Sequence, residues 1–158
     1  MKKQLKYLFI VFFIYSLSLQ ANATPINIDT LIEKTKKTNQ HLLVFFHMTH
    51  CGYCKRMERL TLRNFDIEEK LQKKFIYLDI NIDDSEKVIF NNKYYTKKEF
   101  ANNVDVDFYP TVLFFDESAD IVYTSRGYRD ITKFKKILQF IETKAYERID
   151  FFDFKNEN

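Results

Sequence analysis

Apolar residues run without interruption from Leu42 to Phe46, alternate with other positions from Phe75 to Ile82, and recur every third or fourth place from Ile131 onward. The uninterrupted run, ending at His47, fits a strand buried on both faces of a sheet. The alternating run predicts a second strand, with Phe75, Tyr77 and Asp79 on one face and Ile76, Leu78, Ile80 and Ile82 on the other. Ile131, Phe134, Leu138, Ile141 and Ala145 form one stripe of a last helix that Asp130 is placed to cap. Pro25 to Asn39 reads as an earlier helix, with Thr30-x-x-Glu33 as its capping box. Gly52 to Phe65 reads as another, with Met57 and Leu60 on its inner face and Lys55, Arg56, Arg59 and Arg63 turned to water. A short helical piece follows to about Leu71.

Between these segments, Val88-Ile89-Phe90 and Lys93-Tyr94-Tyr95 flank Asn91-Asn92. Asparagine tolerates the positive φ of a tight turn, so this stretch predicts a small β-hairpin. Thr96-x-x-Glu99 is a second capping box that opens a short helix. Pro110 precedes the strand Thr111 to Phe115, Asp116 to Asp120 form a turn, and Ile121 to Thr124 pair back. The tail from Asp150 is aromatic and then polar. Strands alternating with helices and closing on a hairpin predict an α/β domain whose mixed sheet is covered on both faces. Right-handed crossover makes its first two core strands parallel neighbours. No repeat, linker or second domain interrupts residues 24–158.

Residues 1–23 follow a different logic. Lys2, Lys3 and Lys6 make a positive start, Tyr7 to Leu19 carries no charge, and Ala21-Asn22-Ala23 offers a small-x-small cleavage pattern. This is the form of a signal peptide, and the apolar stretch is shorter than the roughly 20 residues of a membrane-spanning helix. An uncleaved anchor is the alternative, and either way the rest is expected to be exported to the periplasm. The leader also changes the charge picture. Removing its three lysines from the 25 basic residues leaves 22, which match the 22 acidic ones. A neutral mature chain gives no sign of a nucleic-acid or anionic-surface partner. Its 17 phenylalanines and 10 tyrosines supply core area.

The chain has two cysteines, and both lie in Cys51-Gly52-Tyr53-Cys54, directly after the buried strand. A disulfide between residues three apart closes too short a loop to staple the fold, which points to chemistry rather than scaffolding. At the start of a helix, Cys51 faces free backbone N–H groups and the positive end of the helix dipole, both of which favour its thiolate. Protonated His50 would add to that. Cys54, one turn further, is placed to close a disulfide, so Cys51 is the expected nucleophile and Cys54 the resolving thiol. Two other readings compete. Structural zinc needs four ligands, and only His47 and His50 are near, with His47 on a strand that points it away. A Cu(I)-binding metallochaperone would use the two soft thiolates alone. His41 is expected at the surface before its strand.

Cys51-Gly52-Tyr53-Cys54 after Leu43-Val44-Phe45-Phe46, followed by Tyr109-Pro110-Thr111 before Val112-Leu113-Phe114-Phe115, resembles the thioredoxin superfamily. The resemblance runs from about Ile26 to Arg148 and implies a thioredoxin-like fold with a central mixed β-sheet flanked by helices and a small inserted hairpin. It also implies that Pro110 is cis and opposite the disulfide, that Tyr109 offers backbone groups to substrate, and that Gly127 keeps the approach open. Gly52 and Tyr53, between the thiols, complete the implied substrate contacts. The leader, the hairpin and the endings Phe115-Asp116 and Gly127-Tyr128 resemble periplasmic thioredoxin-like proteins associated with sulfur oxidation. The Gly-Tyr dipeptide also resembles that of Dsb-type isomerases.

Against cytoplasmic thioredoxins, His50 replaces the tryptophan before the first cysteine. Gly52-Tyr53 lacks the proline of strongly reducing sites. Phe45 stands where a buried acid is expected, and Asp79 where a lysine is. Asp79 is then the expected substitute proton acceptor for Cys54. The expected protein is a monomeric periplasmic thiol–disulfide oxidoreductase that reduces protein disulfides, needs no cofactor or metal, and draws electrons from a membrane thiol donor. Isomerase or oxidase action and copper binding are the alternatives. An isomerase of the kind resembled would need a separate dimerisation domain, which is not expected here.

Overall fold

The computed structural model describes residues 24–157, so the signal peptide expected over residues 1–23 lies outside them. After the two-residue strand β1 (Ile26–Asn27), helix α1 (Ile28–Thr38) begins one turn earlier than Thr30 would set it. Its cap is Asn27, whose side chain accepts the Thr30 N–H, so the capping box expected at Thr30 and Glu33 does not form. Asparagine outcompetes threonine here because its longer carbonyl reaches the third N–H while the residue itself stays extended. Asn39 ends the helix in the left-handed conformation.

Strands β2 (His41–His47) and β3 (Phe75–Asn81) pair in parallel, as the crossover rule requires, with His41 opposite Phe75 and His47 opposite Asn81. Strand β6 (Thr111–Phe115) lies antiparallel on the other side of β2, and β7 (Ile121–Arg126) completes the order β3-β2-β6-β7. The hairpin of β4 (Lys87–Phe90) and β5 (Lys93–Thr96) forms with Asn91 and Asn92 both at positive φ. With β1 it makes a second, three-stranded sheet. Asp29 anchors the turn, since its two carboxylate oxygens accept the Asn91 and Asn92 N–H groups.

Helices cover both faces of the four-stranded sheet. On one, Leu42, Val44, Phe46 and Ile80 pack against Ile28 and Ile32 of α1, the hairpin's Val88 and Phe90, and Phe100 of α4 (Lys97–Asn103). The predicted capping box of Thr96 and Glu99 opens α4. On the other face, Leu43, Phe45, Val112 and Phe114 meet three helices: α2 (Gly52–Met57), α3 (Phe65–Lys74) and α5 (Ile131–Glu142). Asp130 caps α5 as predicted, accepting the Lys133 N–H.

Three local expectations are corrected. From Glu58 to Leu62 the chain leaves α2 in a π-helical turn, which takes an extra residue into the turn and shifts the phase of the face that follows. Leu60 is thereby turned outward, 42% exposed, while Thr61 and Leu62 take its place in the core. His41 is buried at 5% exposure, with Nε2 2.7 Å from the Tyr146 hydroxyl, because the chain beyond α5 folds back over the start of β2. That segment continues into α6 (Phe151–Glu157), a helix that no periodic pattern predicts. Phe151 and Phe154 of α6 pack against Phe140 at ring separations of 5.3 and 5.2 Å.

Candidate active site

The geometry of the site follows from where β2 stops. Its C-terminal end delivers the chain through Met48, Thr49 and His50 to Cys51. The connecting loop is pinned to β3 and the residues just beyond it: the Thr49 N–H donates to Asp83, the Asn81 amide donates to the Thr49 hydroxyl, and the Ile82 N–H donates to the His47 carbonyl. Cys51 is the extended N-cap of α2. It is disulfide-bonded to Cys54, with the Cα atoms 5.2 Å apart.

Cys51 occupies the place that a capping serine or aspartate would take in another helix. Its Sγ accepts the Cys54 N–H at 3.1 Å, and its carbonyl accepts the Lys55 N–H. A sulfur so placed is stabilised when negative, since the donor is already aimed at it. Both cysteines are largely covered in the disulfide state. Cys51 retains 8% exposure against 2% for Cys54, so Cys51 is the more accessible but is not an open nucleophile. Gly52 has no atom within 4 Å of where a β-carbon would stand, and Tyr53 is 65% exposed. His50 is exposed and lies close enough to Asp83 to help hold that carboxyl below the usual range; the Thr49 backbone hydrogen bond is the larger cause.

The sheet register brings the other predicted residues to the same end. Thr111 pairs with Phe46, which places Pro110 level with His47 at the C-terminal end of β2. The Tyr109–Pro110 bond is cis, as the resemblance implied. Thr111 also pairs with Arg126, and the next residue, Gly127, donates its N–H to the Pro110 carbonyl at 2.7 Å. Gly127 has φ +86°, a conformation open chiefly to glycine. Cys51, Cys54, Pro110 and Gly127 therefore converge at one edge of the sheet, although the sequence separates them by up to 76 positions.

Other residues around this edge carried no signal in a periodic pattern. A β-carbon on Gly127 would sit 3.5 Å from Phe108 Cε1 and 3.8 Å from Arg129 Nη1. Phe108 is 56% exposed, an aromatic ring outside any strand or helix; its place two residues before Pro110 was the one available clue. The Arg56 guanidinium, read from the sequence as simply solvated, lies over the Tyr128 ring at 4.9 Å and so links α2 to the glycine loop. The Thr61 hydroxyl donates to the Arg129 carbonyl and ties the π-helical turn to the same loop.

Asp79 has a different setting from the one expected of a proton acceptor for Cys54. Its Oδ1 accepts from His47 Nε2 at 2.7 Å, and its Oδ2 accepts from the Tyr77 hydroxyl at 3.2 Å. Phe45 pairs with Asp79 across the strands and stacks on His47, with ring centroids 5.2 Å apart. Burial alone would lower the His47 pKa, but hydrogen bonding and charge from Asp79 outweigh it, so the ring titrates above its ordinary value. His47 is thus held by a carboxylate. Among the described residues no group of three or more His, Cys, Asp or Glu side chains is arranged to hold a metal.

A strand–helix unit with Cys-x-x-Cys at its junction, and a cis-proline at the start of the neighbouring strand, defines a thioredoxin-fold thiol–disulfide oxidoreductase. Residues 28–142 match the profile of the thioredoxin-like domain, and the chain belongs to that family. Among solved structures it is similar to a thioredoxin-fold protein from Helicobacter pylori, at 25% identity and a TM-score of 0.64, covering 75% of this chain and 79% of that one. A thioredoxin from Thermus thermophilus shares the fold at 20% identity and a TM-score of 0.59, over 76% of this chain and 87% of its own. The C-terminal domain of Neisseria meningitidis DsbD in its oxidised form does so at 12% identity and a TM-score of 0.53, over 76% and 98%. No curated protein sequence matches the chain.

Proposed function

We propose that this protein is a monomeric periplasmic reductase of protein disulfides. The observation that carries the reading is the Cys54 N–H aimed at the Cys51 sulfur at the helix start. In the reduced protein, the Cys51 thiolate attacks one sulfur of a substrate disulfide and expels the other as a thiolate, forming a mixed disulfide. Cys54, once deprotonated, attacks Cys51 Sγ and expels the second substrate sulfur. The substrate gains two electrons and, with two protons, becomes a dithiol. The protein is left as the Cys51–Cys54 disulfide seen here, which a membrane dithiol donor must reduce again.

Support for the reducing direction comes from the count of donors at Cys51, which is one rather than several. Strongly oxidising sites owe their potential to a heavily stabilised thiolate. Among the described residues, the Cys54 N–H is the one hydrogen-bond donor to Cys51 Sγ. Support for export comes from the basic, apolar and small-residue sequence of positions 1–23. The test is dithiothreitol-driven insulin reduction alongside metal analysis of the purified protein. Turnover without bound metal is expected; stoichiometric copper without turnover would replace this reading with metal carriage.

A further inference from the structure

The rim of the site is electrically lopsided. On the Tyr109 side lie Asp83 and Asp107, whose negative charges join burial in raising the Tyr109 phenol. On the Gly127 side lie Arg56, over the Tyr128 ring, and Arg129, whose Nη1 donates to the Tyr128 carbonyl. Among the described residues, neither guanidinium is within ion-pair distance of a carboxylate. Between them and Pro110, the missing side chain of Gly127 leaves its α-carbon flanked by the exposed Phe108 ring and the Arg129 guanidinium, which a β-carbon there would meet at 3.5 and 3.8 Å. Two cations standing on aromatic and backbone supports without an ion-pair partner, on the Gly127 side of the cis-proline, make a receptor for an anionic side chain of the substrate.

We propose that Arg56 and Arg129 select substrate disulfides whose reacting cysteine has an acidic residue beside it on the Gly127 side. The selection rests on the reductase reading above, since it concerns the substrate of that same step. A glutamate or aspartate carboxylate there accepts hydrogen bonds from the two guanidinium groups while its methylenes lie on Phe108. A lysine in the same place meets two like charges. Asp83 and Asp107 on the Tyr109 side disfavour the reversed orientation, so charge sets the direction in which the substrate chain lies.

The test uses the reduced full chain and two short peptides, identical except for Glu or Lys next to a cysteine blocked as its 2-nitro-5-thiobenzoate disulfide. Each rate constant is normalised to that of dithiothreitol with the same peptide, which removes the peptide's own effect on thiol reactivity. The Glu peptide is expected to react about three- to tenfold faster, with the ratio falling toward one as salt is raised. In R129Q and R56Q the ratio should fall toward one, while R129K should keep most of it. A merely structural role would slow both peptides equally and leave the ratio unchanged. Equal normalised rates in the wild type, or a preference that survives both glutamine substitutions, overturns the selection and leaves the reductase reading in place. Failure to react with either peptide sinks both.

Discussion

The Cys54 N–H points at the Cys51 sulfur from 3.1 Å, so the residue that resolves the mixed disulfide also helps to acidify the residue that starts it. A free cysteine titrates near about 8.5, and helix-start cysteines of this kind fall to about 7. In a Cys54→Ala variant, which keeps the backbone donor, alkylation of Cys51 should show a pKa near that lower value. An unperturbed titration with slow alkylation at neutral pH contradicts it.

Gly52 and Gly127 should respond oppositely to alanine. Nothing stands within 4 Å of a β-carbon at Gly52, at the first position of α2, so Gly52→Ala should fold as the parent does. Gly127→Ala forces a β-carbon into the left-handed region at φ +86°, at a cost of about 1–2 kcal/mol. It also sets a methyl group against Phe108 and Arg129, next to Pro110. Equilibrium denaturation and insulin-reduction rates compare the two, and equal behaviour would show that Gly127 is neither strained nor in the substrate's path.

Most of the frame could be read from the chain because burial writes a period into it. The all-apolar β2, the alternating β3 and the stripe of α5 lie where their periods put them. The Asn91-Asn92 hairpin and the Thr96 capping box follow from local backbone chemistry. The site's cysteines and Pro110 were legible through motif spacing. What failed to show was tertiary in origin. The π-helical turn shifts Leu60 out and Leu62 in, and no residue from Glu58 to Leu62 announces it. Helix α6 exists because Phe140 offers Phe151 and Phe154 a surface, and His41 is buried through Tyr146, a partner over 100 residues away in the chain. Phe108, Arg56 and Arg129 matter only through neighbours that the sheet brings to them.

That shift of phase makes its own prediction. Leu62→Ala removes a buried side chain and should cost about 2–5 kcal/mol, whereas Leu60→Ala at the exposed position should change stability by less than about 0.5 kcal/mol. Urea denaturation of both variants decides it, and the reverse order would mean that an ordinary α-helix continues through this segment.

His41 and His47 should give stability opposite dependences on pH. Burial, with help from Lys144, holds the His41 pKa below the usual 6.5. The unfolded chain then binds a proton more readily, so this contribution is complete above about 6.5 and is lost as pH falls through the folded value. The Asp79 carboxylate raises His47 above 6.5 despite burial. Its stabilisation is complete below about 6.5 and is lost as pH rises through the folded value. Denaturation midpoints between pH 5 and 8 should therefore lose their alkaline decline in Asp79→Asn and keep their acid one. A profile unchanged by that substitution would show that the pair does not couple to folding.

The most direct measurement is the equilibrium reduction potential of the Cys51–Cys54 couple in glutathione buffers, with mixed disulfides excluded by mass. A lightly stabilised thiolate places it toward the thioredoxin end of the family range, between about −270 and −200 mV. A value near about −120 mV, where the reduced form is strongly favoured, would make the protein a donor of disulfides and contradict the reductase reading.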